Sequence, residues 1–189
     1  MKDIKSALLL FIAFTIICGC IYPAIVTGVA YALFPKQAQG SFITDKSGHE
    51  TGSTLIGQPF SDAKYFWPRP SATTDFGYNP AASGGSNAGP TNRDYLKTVA
   101  DRVTSLRDSG VTGQIPADLV QASASGLDPH ISPEAALVQA PRVAKARGMS
   151  EEMLVKHVKH ATDDRQFGFL GTPRVNVLVL NLELDTLNP

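Results

Sequence analysis

The chain has 189 residues, 43% of them hydrophobic, and its 17 basic residues balance its 17 acidic residues. No excess of basic residues points to nucleic acid, so nucleic acid is not expected as a partner. Both cysteines, Cys18 and Cys20, lie in one apolar segment two residues apart, where a helix would point them in different directions. No disulfide bond is therefore predicted.

An uncharged, apolar segment covers residues 6–34 and is flanked by lysines on both sides. A helix needs about 20 apolar residues to cross the hydrocarbon core of a bilayer, so this segment predicts a transmembrane anchor helix. The chain then divides into a short tail (residues 1–5), the anchor (6–34) and a soluble domain (35–189).

Pro23 lies inside the anchor and removes one backbone hydrogen bond, which Thr15, Thr27 or a neighbouring helix is expected to compensate. Small residues near one face would let a helix of another subunit approach closely. We therefore predict that the anchor packs against partner helices as well as membrane lipid, at Gly19, Ala24 and Gly28.

Two other interpretations of the apolar segment remain open. A cleaved signal sequence has an apolar core of about 7–15 residues, and this segment is considerably longer. The sequence Ile17-Cys18-Gly19-Cys20 resembles the attachment box of a lipoprotein, but the chain beyond Cys20 stays apolar as far as Phe34.

The orientation of the anchor is predicted from the basic residues at its ends. Lys2 and Lys5 form the denser basic cluster, which favours a cytoplasmic N-terminus. The soluble domain is then expected to lie outside the cytoplasm.

The first half of the domain is predicted to contain little regular structure. Short strands are expected over 41–44 and 53–57, joined by a turn at 45–48. Residues 58–90 show no sustained period, and long irregular loops of this kind are usually functional or disordered. Because this stretch is rich in aromatic residues, we expect it to be folded against the rest of the domain.

Four residues of this stretch belong to the types that dominate interaction hot spots, so they are predicted to contact a partner. They are Tyr65, Trp67, Arg69 and Tyr78. The alternative is that these side chains close the stretch over the core of their own domain.

Three helices are predicted further along, from capping residues and the helical spacing of apolar residues. The first covers 91–110, the second covers 132–148 with a kink or a restart at Pro141, and the third begins after Ser150. Residues 173–182 read as a buried strand whose tail turns helical. The fold class is therefore α/β: one transmembrane helix followed by one extracytoplasmic α/β domain with a small sheet and about three main helices.

Candidate chemistry is sparse. Residues 83–87 offer backbone amides and small side chains that could bind a phosphate, but they lack the lysine of a P-loop. Ser123, Asp128 and His130 allow a membrane-anchored hydrolase as an alternative function. Two histidines on one predicted helix, at 157 and 160, do not make a metal site.

Several stretches resemble, in fixed order, the C subunit family of the Kdp-type potassium-transporting ATPases, over nearly the whole chain. They include Ile56-Gly57-Gln58-x-Phe60, Tyr65-Phe66-x-x-Arg69-Pro70-Ser71-Ala72, Tyr78-Asn79-Pro80-x-Ala82-Ser83-Gly84-Gly85-Ser86-Asn87, Ala122-Ser123-Ala124-Ser125-Gly126-Leu127-Asp128, Arg142-Val143-Ala144-x-Ala146-Arg147 and Val175-Asn176-Val177-Leu178-x-Leu180-Asn181.

This resemblance implies an accessory subunit of an ATP-driven potassium import pump in the bacterial inner membrane. The implied partners are a channel-like subunit that handles potassium and a P-type subunit that hydrolyses ATP. The chain has no Asp-Lys-Thr-Gly phosphorylation motif, so it is expected to be non-catalytic.

The family's C subunit is described as a catalytic chaperone that raises the ATP affinity of the ATPase subunit. The resemblance thus implies ATP as a ligand, bound weakly or through that subunit, at Ser83, Gly84, Gly85, Ser86, Asn87, Ser123, Ser125 and Gly126. With the predicted topology the domain lies across the membrane from cytoplasmic ATP, so direct nucleotide contact is expected to be weak and dispensable.

Overall fold

A computed structural model describes residues 2–44 and 48–187. The chain divides into two compact units, Met1–Ser53 and Thr54–Pro189. The first unit holds the apolar helix together with the hairpin that follows it.

The first unit begins with a long helical segment: α1 (Lys2–Ile16), one π-helical turn (Ile17–Ile21) and α2 (Tyr22–Leu33). The stretch Asp3–Leu33 is long and apolar enough to cross a membrane, and its apolar window is not buried against the chain itself. The predicted single apolar helix is confirmed.

The π-helical turn explains how the helix tolerates Pro23. The Tyr22 amide reaches back five residues to the Ile17 carbonyl, and Pro23 falls in the first turn of α2. At the start of a helix the missing N–H of proline has no partner to lose. The hydroxyl of Thr15, which was expected to compensate, instead donates to the Phe11 carbonyl at 2.8 Å.

A short helix, α3 (Pro35–Ala38), leads into an antiparallel hairpin of β1 (Phe42–Thr44) and β2 (Glu50–Ser53). The predicted second strand at 53–57 is wrong, because β2 lies earlier in the chain. Residues from Thr54 onward belong to the second unit, where the Gly57 amide donates to the Leu127 carbonyl at 2.9 Å. Part of the predicted turn, at 45–47, lies outside the described residues.

The second unit combines five helices with a three-stranded antiparallel sheet in the order β3-β5-β4 among its described residues. The elements are α4 (Arg93–Asp108), β3 (His130–Ile131), α5 (Pro133–Leu137), α6 (Ala140–Arg147), α7 (Glu151–His160), β4 (Thr162–Asp163), β5 (Arg174–Asn176) and α8 (Val177–Leu187). The predicted mixed α/β class with small sheets is confirmed.

The predicted helix starts are correct because their capping side chains satisfy the free amides of the first turn. Asn92, Ser132 and Ser150 each accept at least one such hydrogen bond at the starts of α4, α5 and α7. Gly148 ends α6 in the left-handed conformation, with φ of +65°. Of the two outcomes expected at Pro141, the restart is correct: α5 ends at Leu137, and α6 begins at Ala140 with Pro141 in its first turn.

The predicted strand over 173–182 is wrong beyond Asn176, where helix α8 begins and adds a fourth long helix to the domain. Asn176 starts this helix, since its side-chain oxygen accepts from the Val179 amide at 3.2 Å and its Nδ2 donates to the Thr54 carbonyl at 2.8 Å. A short apolar run fits a buried strand and a buried helix equally well, so its pattern could not decide between them.

Candidate functional site

Two buried amide side chains hold the irregular aromatic segment in place. Asn181 of α8 accepts from the Phe66 amide at 2.8 Å and donates to the Phe66 carbonyl at 3.0 Å. Gln139, just before α6, pairs in the same way with the amide (2.8 Å) and carbonyl (3.1 Å) of Trp67. Asn181 and Gln139 are fully buried. Each pairs with a backbone amide and a backbone carbonyl of the segment, as a neighbouring strand would in a sheet.

Two buried arginines of α6 bind the residues just before Phe66. Arg142 donates to the carbonyls of Ala63 (2.7 Å) and Tyr65 (2.9 Å), and its guanidinium carbon lies 4.2 Å from the centre of the Trp67 ring. Arg147 donates to the Lys64 carbonyl at 2.7 Å. Burial lowers the pKa of Arg142 to about 10, so its guanidinium stays charged at neutral pH.

These contacts show where the four predicted interface residues lie. Tyr65 is half-buried, and its hydroxyl donates to Asp185, which also binds Arg147. Trp67 packs against the hydrophobic core with one side and keeps part of its surface exposed. Tyr78 is only 7% exposed, so its side chain has little surface to offer a partner.

Arg69 and Tyr78 instead belong to a polar cluster that also contains Asp128 and His130. Arg69 Nη1 lies 3.1 Å from Asp128 Oδ2, and the buried Tyr78 hydroxyl donates to the Arg69 carbonyl. Asp128 Oδ1 accepts from the His130 amide at 3.0 Å and lies 3.3 Å from His130 Nδ1. Burial works to raise the pKa of Asp128, but the hydrogen bonds from His130 and the charge of Arg69 outweigh it and lower that pKa.

The two Ser/Gly-rich stretches, far apart in sequence, meet next to this cluster. The Ser125 carbonyl accepts from the Gly84 amide at 2.9 Å and from the Ser83 hydroxyl at 3.0 Å. A Cβ on Gly85 would lie 3.0 Å from the Ala124 carbonyl oxygen, so the two backbones are in close contact there.

Gly126 is required by the same packing. It has φ of +68°, and a Cβ there would lie 2.6 Å from Thr73 Cγ2 and 2.7 Å from the Gly84 carbonyl oxygen. The predicted nucleotide residues therefore do come together, except that Ser86 and Asn87 extend into solvent.

The geometry of these stretches is better suited to holding two loops together than to binding a phosphate. A phosphate site needs several convergent free amides and usually a cation. Here the Gly84 amide is already used, and the cation of the adjoining cleft of about 590 Å³, Arg69, is paired with Asp128. Arg93 is exposed at the first turn of α4.

The alternative function as a hydrolase would need a hydrogen bond between the candidate nucleophile Ser123 and the candidate base His130. Asp128 orients His130, but no hydrogen bond joins Ser123 to His130 among residues 2–44 and 48–187. The two side chains also line different clefts: Ser123 borders the one of about 590 Å³, and His130 borders another of about 800 Å³. His157 pairs with Glu183 at 2.9 Å, and the described part of the chain holds no group of three metal-ligating side chains.

Sequence analysis missed the residues that hold the aromatic segment, namely Gln139, Arg142, Arg147 and Asn181. The signal was present for the two amides, because each interrupts an otherwise apolar helical run. Arg142 and Arg147 give no such signal, because cations are common near a helix C-terminus, but both are buried here.

Comparison with known proteins identifies the family. Residues 4–186 match the family model described as "K+-transporting ATPase, c chain". The chain is 74% identical over 188 residues to the potassium-transporting ATPase KdpC subunit of Geotalea uraniireducens, and 73% identical over 189 residues to that of Geobacter metallireducens, with full coverage of both chains in each case. It is 56% identical over 189 residues to that of Methylococcus capsulatus, covering 99% of each. The chain therefore belongs to the KdpC family of K+-transporting ATPase subunits.

Proposed function

We propose that this chain is a non-catalytic subunit that stabilises the pump and promotes ATP binding by the P-type ATPase subunit without touching the nucleotide itself. The observation that supports this proposal is the contact between the Ser/Gly-rich stretches, in which the Ser125 carbonyl already accepts two hydrogen bonds from Ser83 and Gly84. The Ser83 hydroxyl and the Gly84 amide are the hydrogen-bond donors in this contact, and donors that are already paired are not available to a phosphate.

The proposed topology leads to the same conclusion. With Lys2 and Lys5 on the cytoplasmic side of the bacterial inner membrane, the domain lies outside the cytoplasm. ATP is bound on the cytoplasmic side, so any effect on its affinity must pass through the membrane-spanning parts of the complex. Potassium is handled by the channel-like subunit in this proposal.

Nucleotide titration tests the proposal directly. We expect the full-length chain in detergent to bind ATP with millimolar affinity or not at all, because the cation of the cleft is paired. In the assembled pump, the Arg93→Ala variant should leave potassium-stimulated ATP hydrolysis unchanged, whereas omission of the chain should raise the apparent KM for ATP.

The outcome that would contradict the proposal is equally specific. Micromolar ATP binding that Arg93→Ala abolishes would establish a direct nucleotide site. Lys97→Ala on the outer face of α4 serves as the control, since it removes one exposed cation of the same helix.

The anchor is proposed to contact helices of partner subunits at its small residues. The positions where a Cβ would project from Gly19 and Gly28 have no neighbouring atom within 4 Å, so the chain itself leaves this surface open. Ala24 lies between them on α2.

Gly28→Leu is accordingly expected to reduce co-purification of the chain with the pump several-fold, because a large side chain separates closely packed helices. Membrane insertion should be unaffected, since leucine is more apolar than glycine. Co-purification at the wild-type level, with Val29→Leu as the control, would count against a contact at Gly28.

The domain's contribution to assembly is proposed to involve the exposed parts of Tyr65, Trp67 and Arg69, all half-buried. Tyr78 acts only indirectly in this proposal, through its hydrogen bond to the Arg69 carbonyl.

A further inference from the structure

The connection between β4 and β5 carries the most exposed apolar side chain of the described chain. Residues 163–172 are all exposed. Phe167 is 87% exposed and Phe169 is 70% exposed, which compares with 72% for Ile4 in the apolar helix. Single exposed apolar residues are normal, but two aromatic rings separated by one glycine form a small apolar projection.

This projection is an ordered hairpin. The amide of Gln166 donates to the Leu170 carbonyl and the amide of Leu170 to the Gln166 carbonyl, each at 2.9 Å. Gly168 and Phe169 also donate to carbonyls within the hairpin, at 3.1 and 3.2 Å. Because its own backbone satisfies these amides, the tip can enter an apolar environment without leaving them unpaired.

The backbone at the tip is itself unusual. Phe167 has φ of +54°, a conformation that bulky residues rarely adopt. Gly168 also has positive φ, at +78°, and two-residue hairpin turns of type I′ require positive φ at both central residues, the first of which is usually Asn, Asp or Gly. The strained residue here is also the one whose ring is most exposed.

Charges beside the tip argue for a protein partner over lipid. Two acids, Asp163 and Asp164, and two arginines, Arg165 and Arg174, flank the hairpin, and Arg174 lies 3.8 Å from Asp163. A loop that binds an anionic membrane surface usually adds a clear excess of basic residues, whereas these four charges cancel. Phenylalanine and arginine are both enriched in protein–protein interfaces relative to the rest of the protein surface.

We propose that the tip formed by Phe167, Gly168 and Phe169 inserts into an apolar pocket on the extracytoplasmic surface of another subunit of the same pump. This inference rests on the proposed role as an accessory subunit with an extracytoplasmic domain. The contact is small, but the anchor keeps the domain at the complex, and a second contact within one assembly needs little area of its own.

Photo-crosslinking in membranes that contain the complete pump tests the partner. With Phe167→p-benzoylphenylalanine we expect a covalent adduct with another protein subunit. The matched control is Leu96→p-benzoylphenylalanine, since Leu96 is an exposed apolar residue on α4. Adducts with lipid only, or no subunit adduct from position 167, would overturn the inference.

Affinity supplies the second measurement. The double variant Phe167→Ser/Phe169→Ser should bind the remaining subunits at least about tenfold more weakly, as expected for loss of a hot spot. Its unfolding temperature should stay at the wild-type value because both side chains are exposed. Leu96→Ser should leave the affinity unchanged.

The two proposals fail in different ways. If the double variant binds with wild-type affinity while omission of the chain still impairs the pump, the hairpin inference is wrong and the accessory role stands. If a pump without this chain keeps full ATP affinity and stability, the accessory role is wrong.

Discussion

Asn181→Leu is expected to lower the free energy of unfolding of the domain by about 2–6 kcal/mol. Leucine has nearly the size of asparagine, so packing is largely kept, but the amide and carbonyl of the fully buried Phe66 both lose their hydrogen bonds to the Asn181 side chain. Each buried polar group left unpaired costs about 1–3 kcal/mol. The effect therefore comes from two backbone groups and not from lost apolar contact.

Denaturant unfolding of the full-length chain in detergent measures this loss. Trp67 is the only tryptophan and directly follows Phe66, so its fluorescence reports on the affected segment. Gln121→Leu is the control, because it makes the same kind of exchange at an exposed position. Equal unfolding midpoints for Asn181→Leu and wild type would show that Asn181 does not hold the segment.

Gly126→Ala is expected to destabilise the domain by about 2–4 kcal/mol and to separate the two Ser/Gly-rich stretches. The left-handed backbone costs a non-glycine residue about 1 kcal/mol, and forcing an extra carbon into packed surroundings costs about 1–3 kcal/mol more. The added Cβ would meet the Gly84 carbonyl oxygen, which is backbone and cannot turn aside.

Gly113→Ala separates these two effects. Gly113 has φ of +81° but no atom within 4 Å of the added Cβ, so this variant should show the conformational cost alone. Thermal unfolding of both variants gives the comparison. Equal losses of stability for Gly113→Ala and Gly126→Ala would contradict close packing at Gly126.

Local chemistry explains the parts of the fold that sequence analysis predicted correctly. The apolar helix follows from its length and lack of charge, and the starts of α4, α5 and α7 follow from Asn92, Ser132 and Ser150. Each of these features depends on residues close together in the chain. A capping side chain acts on amides two or three positions away, whatever the rest of the molecule does.

The C-terminal segment marks the limit of such local reasoning. The apolar run from Val175 to Leu182 suits a buried strand or a buried helix, and it becomes both. The side chain of Asn176 caps the helix through the Val179 amide and is also held by the Thr54 carbonyl, more than 120 residues away in sequence. A pattern within ten residues carries no information about such a partner.

The candidate site shows the same division. From the sequence alone came the apolar helix, the family resemblance, and the prediction that the aromatic and Ser/Gly-rich stretches matter. The tertiary structure decided what those stretches do. Gln139 and Asn181 hold the aromatic stretch, and the two Ser/Gly-rich stretches contact each other through the Ser125 carbonyl. The physical reason is that a buried polar group must find a partner, and the partner is chosen by how the chain folds back on itself and not by the neighbouring residues.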